Sequence, residues 1–231
     1  MNIFILAGGF GTRLKSVVSD VPKPMAPILN KPFLDYQIKE IKKYFPTTTI
    51  YLLTYFKSDI IEQYYKDDKY ITIIKEDSPK DTGGCIKNAI EVLNLKTSNS
   101  LLILNGDTYI KPNLKDLVEN TIENITILSS YQDNCSRYGT LNIQNNLIHN
   151  FNEKNIDSKN NYINAGCYYF KTLDFFNNIK KDVFSIENEF KKYLEHYGKI
   201  HTYKYNDIFI DIGIPKDYTK MIHYIRKNEN A

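Results

Sequence analysis

Short apolar runs alternate with amphipathic stretches through the first half of the chain. The apolar runs predict strands at residues 2–6, 50–54, 71–75 and 101–105. Apolar residues at steps of three and four predict helices at residues 32–45, 58–65 and 84–93, with Asn30 and Thr82 capping the first and the third. Strands that alternate with helices favour an α/β fold with a mostly parallel, Rossmann-like mixed sheet and helices on both of its faces.

The pattern changes after residue 108, where the predicted strands become shorter and the helices fewer. Strands are predicted at residues 125–131, 140–143, 147–151, 162–170 and 199–205, and helices at residues 113–123, 186–196 and 215–226. No internal repeat and no low-complexity linker interrupts the chain. We therefore expect one domain over residues 1–231, in which the later half completes a pocket begun by residues 1–110.

The composition is that of a compact globular protein. Of the 231 residues, 42% are hydrophobic and 25% are charged, as in ordinary globular domains. The longest apolar runs last about one strand, well short of the ~18 to 20 residues that cross a bilayer, so no membrane segment is expected. The first strand begins at residue 2 without a secretory leader, and the last helix ends close to residue 231. These features predict a cytoplasmic protein with a single activity and no further domain.

Charge, cysteine and histidine usage exclude several kinds of site. The 30 basic and 27 acidic residues are interleaved along the chain and give a net charge of +3, whereas nucleic-acid binders cluster their basic residues. The three cysteines lack C-x-x-C spacing and the four histidines are scattered, so neither a disulfide framework nor a zinc site is expected. We expect no nucleic-acid and no membrane partner. The 19 tyrosines supply enough surface for a homodimer contact, although the sequence leaves the oligomeric state open.

A glycine-rich turn follows the first predicted strand. Residues 6–14 read Leu-Ala-Gly-Gly-Phe-Gly-Thr-Arg-Leu. Three glycines in four residues let a backbone approach a ligand closely and let its amides converge on phosphate oxygens, although a purely structural turn has the same composition. No Gly-Lys-Ser/Thr follows, which excludes a Walker loop, and Leu14 breaks the G-x-G-x-x-G pattern. Arg13, with its fork of donors, and Lys23, held between two prolines, favour an anion site.

Two aspartates follow predicted strands. Asp107 comes just after the strand at residues 101–105, and Asp211 follows the apolar residues 208–210. Ligands bind outside the carboxyl ends of the strands in such sheets. A lone aspartate after a strand is more often a turn residue, but two carboxylates together can hold a hard cation such as Mg²⁺.

These motifs resemble the signature of the sugar-1-phosphate nucleotidylyltransferases, the family that makes nucleotide-activated sugars. The resemblance begins with residues 6–14 and Pro22-Lys23-Pro24 at the family spacing. It continues through Asp81-Thr82-Gly83-Gly84, Leu104-Asn105-Gly106-Asp107, Phe151-Asn152-Glu153-Lys154, Asn164-Ala165-Gly166 and residues 209–215, and so covers almost the whole chain. It implies a single-domain nucleotidyltransferase fold that transfers a nucleoside monophosphate from a nucleoside triphosphate to a sugar 1-phosphate and releases pyrophosphate.

The resemblance also implies a role for each matching position. The expected catalytic residues are Arg13, Lys23, Asp107 and Asp211, of which Asp107 and Asp211 would hold Mg²⁺. The expected nucleotide-binding residues are Leu6, Ala7, Gly8, Gly9, Gly11, Thr12, Arg13, Thr82 and Gly83. Most of residues 1–110 would thus bind the nucleotide, while residues 111–231 would bind the sugar phosphate through Tyr138, Gly139, Glu153, Lys154 and Asn164. Read alone, Thr82 and its glycines are either a plain helix start or a flat surface for a base, and Glu153 and Lys154 are surface charges.

Several alternatives remain at this point. Residues 31–34, 137–140 and 211–215 most resemble the branch that transfers guanylate to D-glycero-D-manno-heptose 1-phosphate for surface polysaccharides such as capsule or lipopolysaccharide. Cytosine is the second choice of base, and another phosphorylated acceptor is open. A metal-dependent glycosyltransferase commonly carries Asp-x-Asp after a strand, whereas residues 105–108 offer only Asp107. A non-catalytic binder of nucleotide sugars would be favoured by loss of Arg13, Lys23 or either aspartate, and all four are present.

Overall fold

The computed structural model describes residues 1–196 and 198–229. Over these residues the strands are β1 (Asn2–Leu6), β2 (Pro27–Ile28), β3 (Lys31–Pro32), β4 (Ile50–Thr54), β5 (Ile71–Lys75), β6 (Leu101–Asn105), β7 (Thr108–Ile110), β8 (Ile125–Asn134), β9 (Leu141–Gln144), β10 (Leu147–Phe151), β11 (Lys159–Phe170), β12 (Ile200–Tyr205) and β13 (Phe209–Asp211). The α-helices are α1 (Phe33–Lys42), α2 (Ser58–Tyr65), α3 (Asp81–Val92), α4 (Leu114–Glu119), α5 (Asp174–Asn177), α6 (Ile186–His196) and α7 (Pro215–Glu229).

The chain forms two compact units that are each built from separate stretches of sequence. The first unit comprises Ile3–Pro79, Asn105–Lys111 and Ile208–Ala231. The second unit comprises Met1–Asn2, Lys80–Leu104 and Pro112–Asp207. Their boundaries do not coincide with the division at residue 110 that the sequence suggested, because the C-terminal stretch belongs with the first unit. The single domain over residues 1–231 stays a prediction.

The first unit is organised around parallel strands in the order β5-β4-β1. Ile3 lies opposite Ile50, and Ile50 lies opposite Ile71. A short antiparallel pair, β7 with β13, belongs to the same unit and sets Thr108 opposite Asp211. A buried core that includes side chains of α1, β7, β13 and α7 also takes in Leu14 and Ala26, so it anchors the segments that follow the glycine-rich turn and Lys23.

The second unit has the strand order β6-β11-β8-β12-β10-β9. The long strand β11 pairs antiparallel with both β6 and β8, whereas β12 pairs parallel with β8. The register of β11 with β8 shifts between Asn164 and Tyr168, where Gly166 has a φ of 69°. Such a bulge redirects the side chains beside it. The core includes Phe170, Phe175 and Phe190, whose ring centroids lie 5.4 to 6.1 Å apart.

Most elements agree with the sequence pattern, and the α/β class with mixed strand directions is confirmed. The helix at residues 186–196 and the strand at residues 147–151 have the expected bounds. Cys135 and Cys167 are buried, as expected of small apolar residues, and burial raises the pKa of the Cys167 thiol to about 12. Within the residues described, no helix has the length and apolarity that crossing a bilayer requires.

Both predicted helix caps are wrong. Helix α1 begins after Pro32, whose extended φ and ψ place it in the N-cap position without a side-chain bond, so Asn30 caps nothing there. Helix α3 begins at Asp81 after Lys80, and Thr82 lies inside its first turn. The Thr82 hydroxyl instead accepts a hydrogen bond from the backbone N–H of Ile186, far along the chain. Local sequence favours a cap at each position, but Pro32 takes the N-cap position of α1 and a tertiary contact uses the hydroxyl of Thr82.

Candidate active site

The glycine-rich turn of the first unit leaves room for a ligand at Gly9. A Cβ atom on Gly8 would lie 3.1 Å from the backbone nitrogen of Tyr55, whereas one on Gly9 would have no neighbour within 4 Å. Among the described residues, the backbone N–H groups of Gly8 to Gly11 donate no backbone hydrogen bond. Open space beside unused amide donors is what an anion site in a turn requires.

The turn ends in a short 3₁₀ helix at Thr12–Leu14. Gly11 precedes it with a φ of 61°, in the left-handed region that disfavours other residues, and its carbonyl accepts from the N–H of Leu14. Leu14 is buried in the core, while the side chains of Thr12 and Arg13 are exposed. The buried leucine thus fixes a turn that presents Arg13 to solvent.

Lys23 joins the glycine-rich turn to the first aspartate. Lys23 starts a 3₁₀ helix, Lys23–Met25. A Cβ atom placed on Gly11 would lie 3.3 Å from the Cβ atom of Lys23. Its ammonium nitrogen lies 2.6 Å from Oδ2 of Asp107, with side-chain exposures of 14% for the lysine and 29% for the aspartate. Gly11, Lys23 and Asp107, three residues that the sequence placed in the site, are therefore in one chain of contacts within the first unit.

The turn that carries Asp107 is held from several sides. The N–H of Gly106 donates to the carbonyl of Leu6, and a Cβ atom on Gly106 would lie 2.5 Å from that oxygen, so only glycine fits. The side-chain amide of Gln37 donates to the carbonyls of Asn105 and Thr108 on either side. Gln37 is a supporting residue that the sequence analysis missed, because its helical position reads only as part of a buried face.

Asp211 lies at the end of β13, next to the strand that follows Asp107. It is the register partner of Thr108, and the N–H of Ile212 donates 3.0 Å to the backbone carbonyl of Asp107. Its Oδ1 atom accepts from the N–H of Gly213. The strand pair therefore brings two carboxylate residues to neighbouring positions, which fits a hard divalent cation in donor type. No group of three or more His, Cys, Asp or Glu residues within the part described could hold a metal by itself.

The strand end beside the glycine-rich turn carries one more buried acid. Glu76 follows β5, its backbone N–H donates to the carbonyl of Thr54, and its side chain is 7% exposed. Buried carboxylates are rare unless they are paired with donors. The sequence analysis did not identify this residue, since a single glutamate after a strand has no distinguishing pattern.

The second unit contains a network of side-chain hydrogen bonds that includes two of the predicted residues. The amide of Asn164 donates to the hydroxyl of Tyr168 at 3.0 Å, and that hydroxyl lies 3.4 Å from Oε1 of Glu187. The other carboxylate oxygen of Glu187 accepts from Thr82 at 3.1 Å and from Ser185 at 2.6 Å. Asn164, expected on the sugar-phosphate side, and Thr82, expected on the nucleotide side, are thus joined through Glu187.

Burial affects the protonation of the Tyr168 hydroxyl in this network. Tyr168 is fully buried, and burial raises the pKa of its hydroxyl well above the ordinary value, with the Glu187 carboxylate acting in the same direction. Tyr168 therefore stays a protonated donor at neutral pH. The Oδ1 atom of Asn164 accepts from the N–H of Gly166 at the bulge, which sets the direction of the amide.

The glycines after Thr82 pack closely against a later segment of the chain. A Cβ atom on Gly83 would overlap the ring of Phe184, and one on Gly84 would overlap the carbonyl oxygen of Asp182. The N–H groups of both glycines also face the carbonyl of Phe184. The space beside the α-carbons of both glycines is therefore filled by the segment that includes Asp182 and Phe184. A contact of Thr82 or Gly83 with the nucleotide stays a prediction.

The remaining sugar-side residues lie on loops of the second unit. Glu153 forms an ion pair with Lys191 of α6, and this hydrogen bond lowers the pKa of the Glu153 carboxyl. Lys154 is exposed. A Cβ atom on Gly139 would lie 2.8 Å from the carbonyl of Asn152, and the Tyr138 ring lies under the Arg137 guanidinium at 5.2 Å. The loops therefore pack closely, and their contact with a substrate stays a prediction.

Comparisons with known proteins extend over nearly the whole chain. A model of the family described as nucleotidyl transferase matches residues 3–228. The D-glycero-alpha-D-manno-heptose 1-phosphate guanylyltransferase of Campylobacter jejuni subsp. jejuni serotype O:2 is 38% identical, over 99% of this chain and 100% of its own. The protein of the same name from Aneurinibacillus thermoaerophilus is 36% identical, over 97% and 100%. The crystal structure of HddC from Yersinia pseudotuberculosis complexed with GMP-PN is similar with a TM-score of 0.84 and 33% identity, over 97% and 99%.

Proposed function

Because this chain belongs to the nucleotidyl transferase family, we propose that it transfers guanylate from GTP to D-glycero-D-manno-heptose 1-phosphate. The products are a GDP-heptose and pyrophosphate. The names of the relatives from Campylobacter jejuni and Aneurinibacillus thermoaerophilus support this choice of substrates. The observation that carries the reaction type is the contact chain from Gly11 through Lys23 to Asp107.

In the proposed reaction, a phosphate oxygen of the sugar 1-phosphate attacks the α-phosphorus of GTP. The new phosphorus–oxygen bond forms as the bond to the β-phosphate oxygen breaks, and pyrophosphate leaves with the electron pair. The attacking phosphate is already ionised at neutral pH, so no general base is needed. Positioning and charge neutralisation then supply most of the rate acceleration.

The residues of the first unit have separate roles toward GTP. The amides of Gly8 to Gly11 and the exposed guanidinium of Arg13 bind the β- and γ-phosphates that depart. Lys23 gives its ammonium to the reacting phosphates, for which it has to leave or share the carboxylate of Asp107. The aliphatic stem of Lys23 lies close to Gly11, so the ammonium that contacts Asp107 belongs to a side chain packed beside the glycine-rich turn.

Asp107 and Asp211 are the residues that would hold Mg²⁺. A divalent cation bound there would neutralise charge on the phosphates of both substrates. The two carboxylates contribute oxygen donors at neighbouring positions of a strand pair, and the ammonium of Lys23 contacts the Asp107 carboxylate directly. Phosphate oxygens and water would complete the octahedron that Mg²⁺ prefers.

The second unit contributes the proposed binding of the sugar phosphate. Lys154 provides a mobile positive charge for the phosphate, and Asn164 provides an amide whose direction is set by Gly166 and Tyr168. Glu153 accepts hydrogen bonds from sugar hydroxyls in place of, or beside, Lys191. Tyr138 and Gly139 belong to the same proposed subsite.

The choice of guanine rests on the names of the relatives, and a carboxylate such as Glu76 at the base would favour guanine over cytosine. A carboxylate accepts hydrogen bonds only, and guanine presents two donors side by side, N1–H and the 2-amino group. Cytosine offers one donor, its 4-amino group, beside an acceptor that would face the carboxylate. Cytidylyl transfer therefore remains the second candidate, and Glu76→Gln should lower the preference for GTP.

The proposal is tested by measuring pyrophosphate release with Mg²⁺. GTP, CTP, UTP, ATP and dTTP are each paired with a panel of sugar 1-phosphates that includes the manno-heptose. Release with GTP and the heptose alone supports both substrates. Release with another pair keeps the reaction and replaces the substrates, whereas no release with any pair favours a non-catalytic binder of nucleotide sugars. Cytoplasmic location, a homodimer and a place in capsule or lipopolysaccharide synthesis are further parts of the proposal and need separate measurements.

A further inference from the structure

Gln37 is a buried amide on α1 that contacts the turn carrying Asp107 and no predicted substrate group. Its side chain is 3% exposed. Its Nε2 atom lies 2.7 Å from the carbonyl oxygen of Asn105 and 3.0 Å from that of Thr108. These two carbonyls flank Gly106 and Asp107, so one side chain binds both ends of the turn.

The orientation of the amide shows that donation to the turn decides its placement. With Nε2 toward the two carbonyls, Oε1 is buried and has no hydrogen-bond partner among residues 1–196 and 198–229. The flipped amide would set Oε1 against two carbonyl oxygens and lose both hydrogen bonds. Gln37 therefore donates from its amide nitrogen to two carbonyl oxygens, while its own oxygen accepts no hydrogen bond from the described residues. A side chain that holds two backbone carbonyls in place has this arrangement.

The Asp107 carboxylate is held by the ammonium of Lys23 at 2.6 Å and by the hydroxyl of Thr108 at 3.2 Å, whereas Gln37 holds the backbone on either side of it. Gly106 is packed against the carbonyl of Leu6, and the carbonyl of Asp107 accepts from the N–H of Ile212. Neither contact holds the carbonyls of Asn105 and Thr108. Without Gln37 these two groups lose their shared donor, and the turn can rotate about the remaining contacts.

We propose that Gln37 is a positioning residue that fixes the backbone turn carrying Asp107, and with it the place of the Asp107 carboxylate, for a divalent cation. The proposal rests on the proposed function, in which Asp107 and Asp211 hold that cation. Residues that orient a metal ligand typically account for about 10- to 100-fold in metal affinity or activity. We expect a loss of that size when the two donors are removed, although Gln37 touches neither the cation nor the substrates.

The test compares Gln37→Met, which keeps the length and removes both donors, with Tyr36→Phe. Tyr36 is the adjacent buried residue of α1, and its hydroxyl donates to the carbonyl of Ile28 at 2.9 Å, away from the Asp107 turn. Gln37→Met loses two hydrogen bonds to backbone carbonyls and Tyr36→Phe loses one, all from the same helix. Gln37→Asn, which keeps the amide on a shorter stem, serves if Gln37→Met does not fold.

The first readout is the dissociation constant of Mn²⁺. It is measured by electron paramagnetic resonance on the full chain in the presence of a non-cleavable GTP analogue. We expect the Mn²⁺ dissociation constant to rise about 10- to 100-fold in Gln37→Met and to stay within about twofold in Tyr36→Phe. The second readout is kcat against Mg²⁺ concentration, where the half-saturating concentration should shift while KM for GTP at saturating Mg²⁺ changes little. Wild-type Mn²⁺ affinity in a folded Gln37→Met or Gln37→Asn protein would overturn the inference.

Asp107→Asn separates this outcome from failure of the proposed function. If Asp107→Asn weakens Mn²⁺ binding and the Gln37 variants do not, the metal assignment stands and the role of Gln37 is wrong. If Asp107→Asn binds Mn²⁺ as the wild type does, the metal assignment itself is wrong and the role of Gln37 falls with it. Equal losses in Tyr36→Phe and Gln37→Met would show a general effect of the helix and would also overturn the inference.

Discussion

The ammonium nitrogen of Lys23 lies 2.6 Å from Oδ2 of Asp107, a residue 84 positions later in the chain. Both side chains are partly buried, so water screens the pair less than it screens an ion pair on the surface. The contact joins a lysine that lies between two prolines to an aspartate that lies in a tight turn. Each residue is therefore positioned before a substrate arrives, which lowers the cost of organising charge around a phosphate.

Lys23→Met and Asp107→Asn should each lower kcat for pyrophosphate release by about 10²- to 10³-fold, the usual loss for one preorganised charge contact. Because the two side chains share one interaction, the double variant should lose less than the product of the single losses. Lys43→Met is the matched control, since the more exposed Lys43 also pairs with an acid, Glu40, near the end of α1. A control that loses as much activity as Lys23→Met would contradict the role of Lys23.

Arg13→Ala should lower kcat/KM for GTP by about 10²- to 10³-fold while the melting temperature stays unchanged, because the side chain is exposed and acts on phosphate alone. Arg13→Lys should recover only part of the activity, since an ammonium lacks the paired donors of a guanidinium. Steady-state kinetics and a thermal melt measure both effects. An Arg13→Ala enzyme that folds and keeps full activity would remove the nucleotidyl transfer assignment.

Gly9→Ala and Gly83→Ala should separate a ligand-facing glycine from a packed one. A methyl group on Gly9 meets no atom within 4 Å, so the free energy of unfolding should change by less than about 0.5 kcal/mol while GTP binding weakens. A methyl group on Gly83 overlaps the Phe184 ring and should cost about 1 to 3 kcal/mol in stability. Denaturant melts and titration with GTP give the two quantities. The reverse pattern, a destabilised Gly9→Ala or a fully stable Gly83→Ala, would show that the turn or helix α3 packs differently.

Glu187→Gln should raise KM for the sugar 1-phosphate and lower kcat by about tenfold each. The amide replaces one acceptor with a donor, which leaves Tyr168, or the hydroxyls of Thr82 and Ser185, without the acceptor they use now. Tyr168→Phe should reproduce part of the loss and should not add fully to it, because both changes break one network. Glu189→Gln, on the same helix and paired with Lys192, is the control and should keep wild-type kinetics.

The pH dependence of stability should carry a contribution from His201. Burial lowers the pKa of this imidazole below the ordinary 6.5, so the unfolded chain binds its proton more tightly than the folded chain. The free energy of unfolding should therefore decrease as the pH falls through about 6.5. His201→Gln should flatten this part of the profile, measured by urea denaturation at several pH values, whereas His149→Gln, at an exposed position, should leave it unchanged.

Elements that depend on local periodicity, and turns that depend on glycine, could be predicted from the order of residues alone. Helix α6 and strand β4 have the predicted bounds, because the apolar residues of α6 recur at steps of three and four and β4 is a short apolar run. Gly11 occupies a left-handed conformation that few other residues adopt, so its place in a ligand-facing turn is legible from residue type. The packing role of Gly83 and Gly84 could not be predicted from the sequence, because a segment about a hundred residues away fills the space beside them.

Which of these residues contact one another, and which side chains support them, depends on the packing of elements that are distant in the sequence. The short strands β7 and β13 are too brief to show a period, yet their pairing sets the backbone beside Asp107 and Asp211 together. Gln37 and Glu187 look like ordinary helical residues in the sequence, and their importance comes from partners on other elements. Periodicity reports which face a residue shares with its neighbours along the chain, whereas hydrogen bonds and ion pairs across elements depend on how those elements pack.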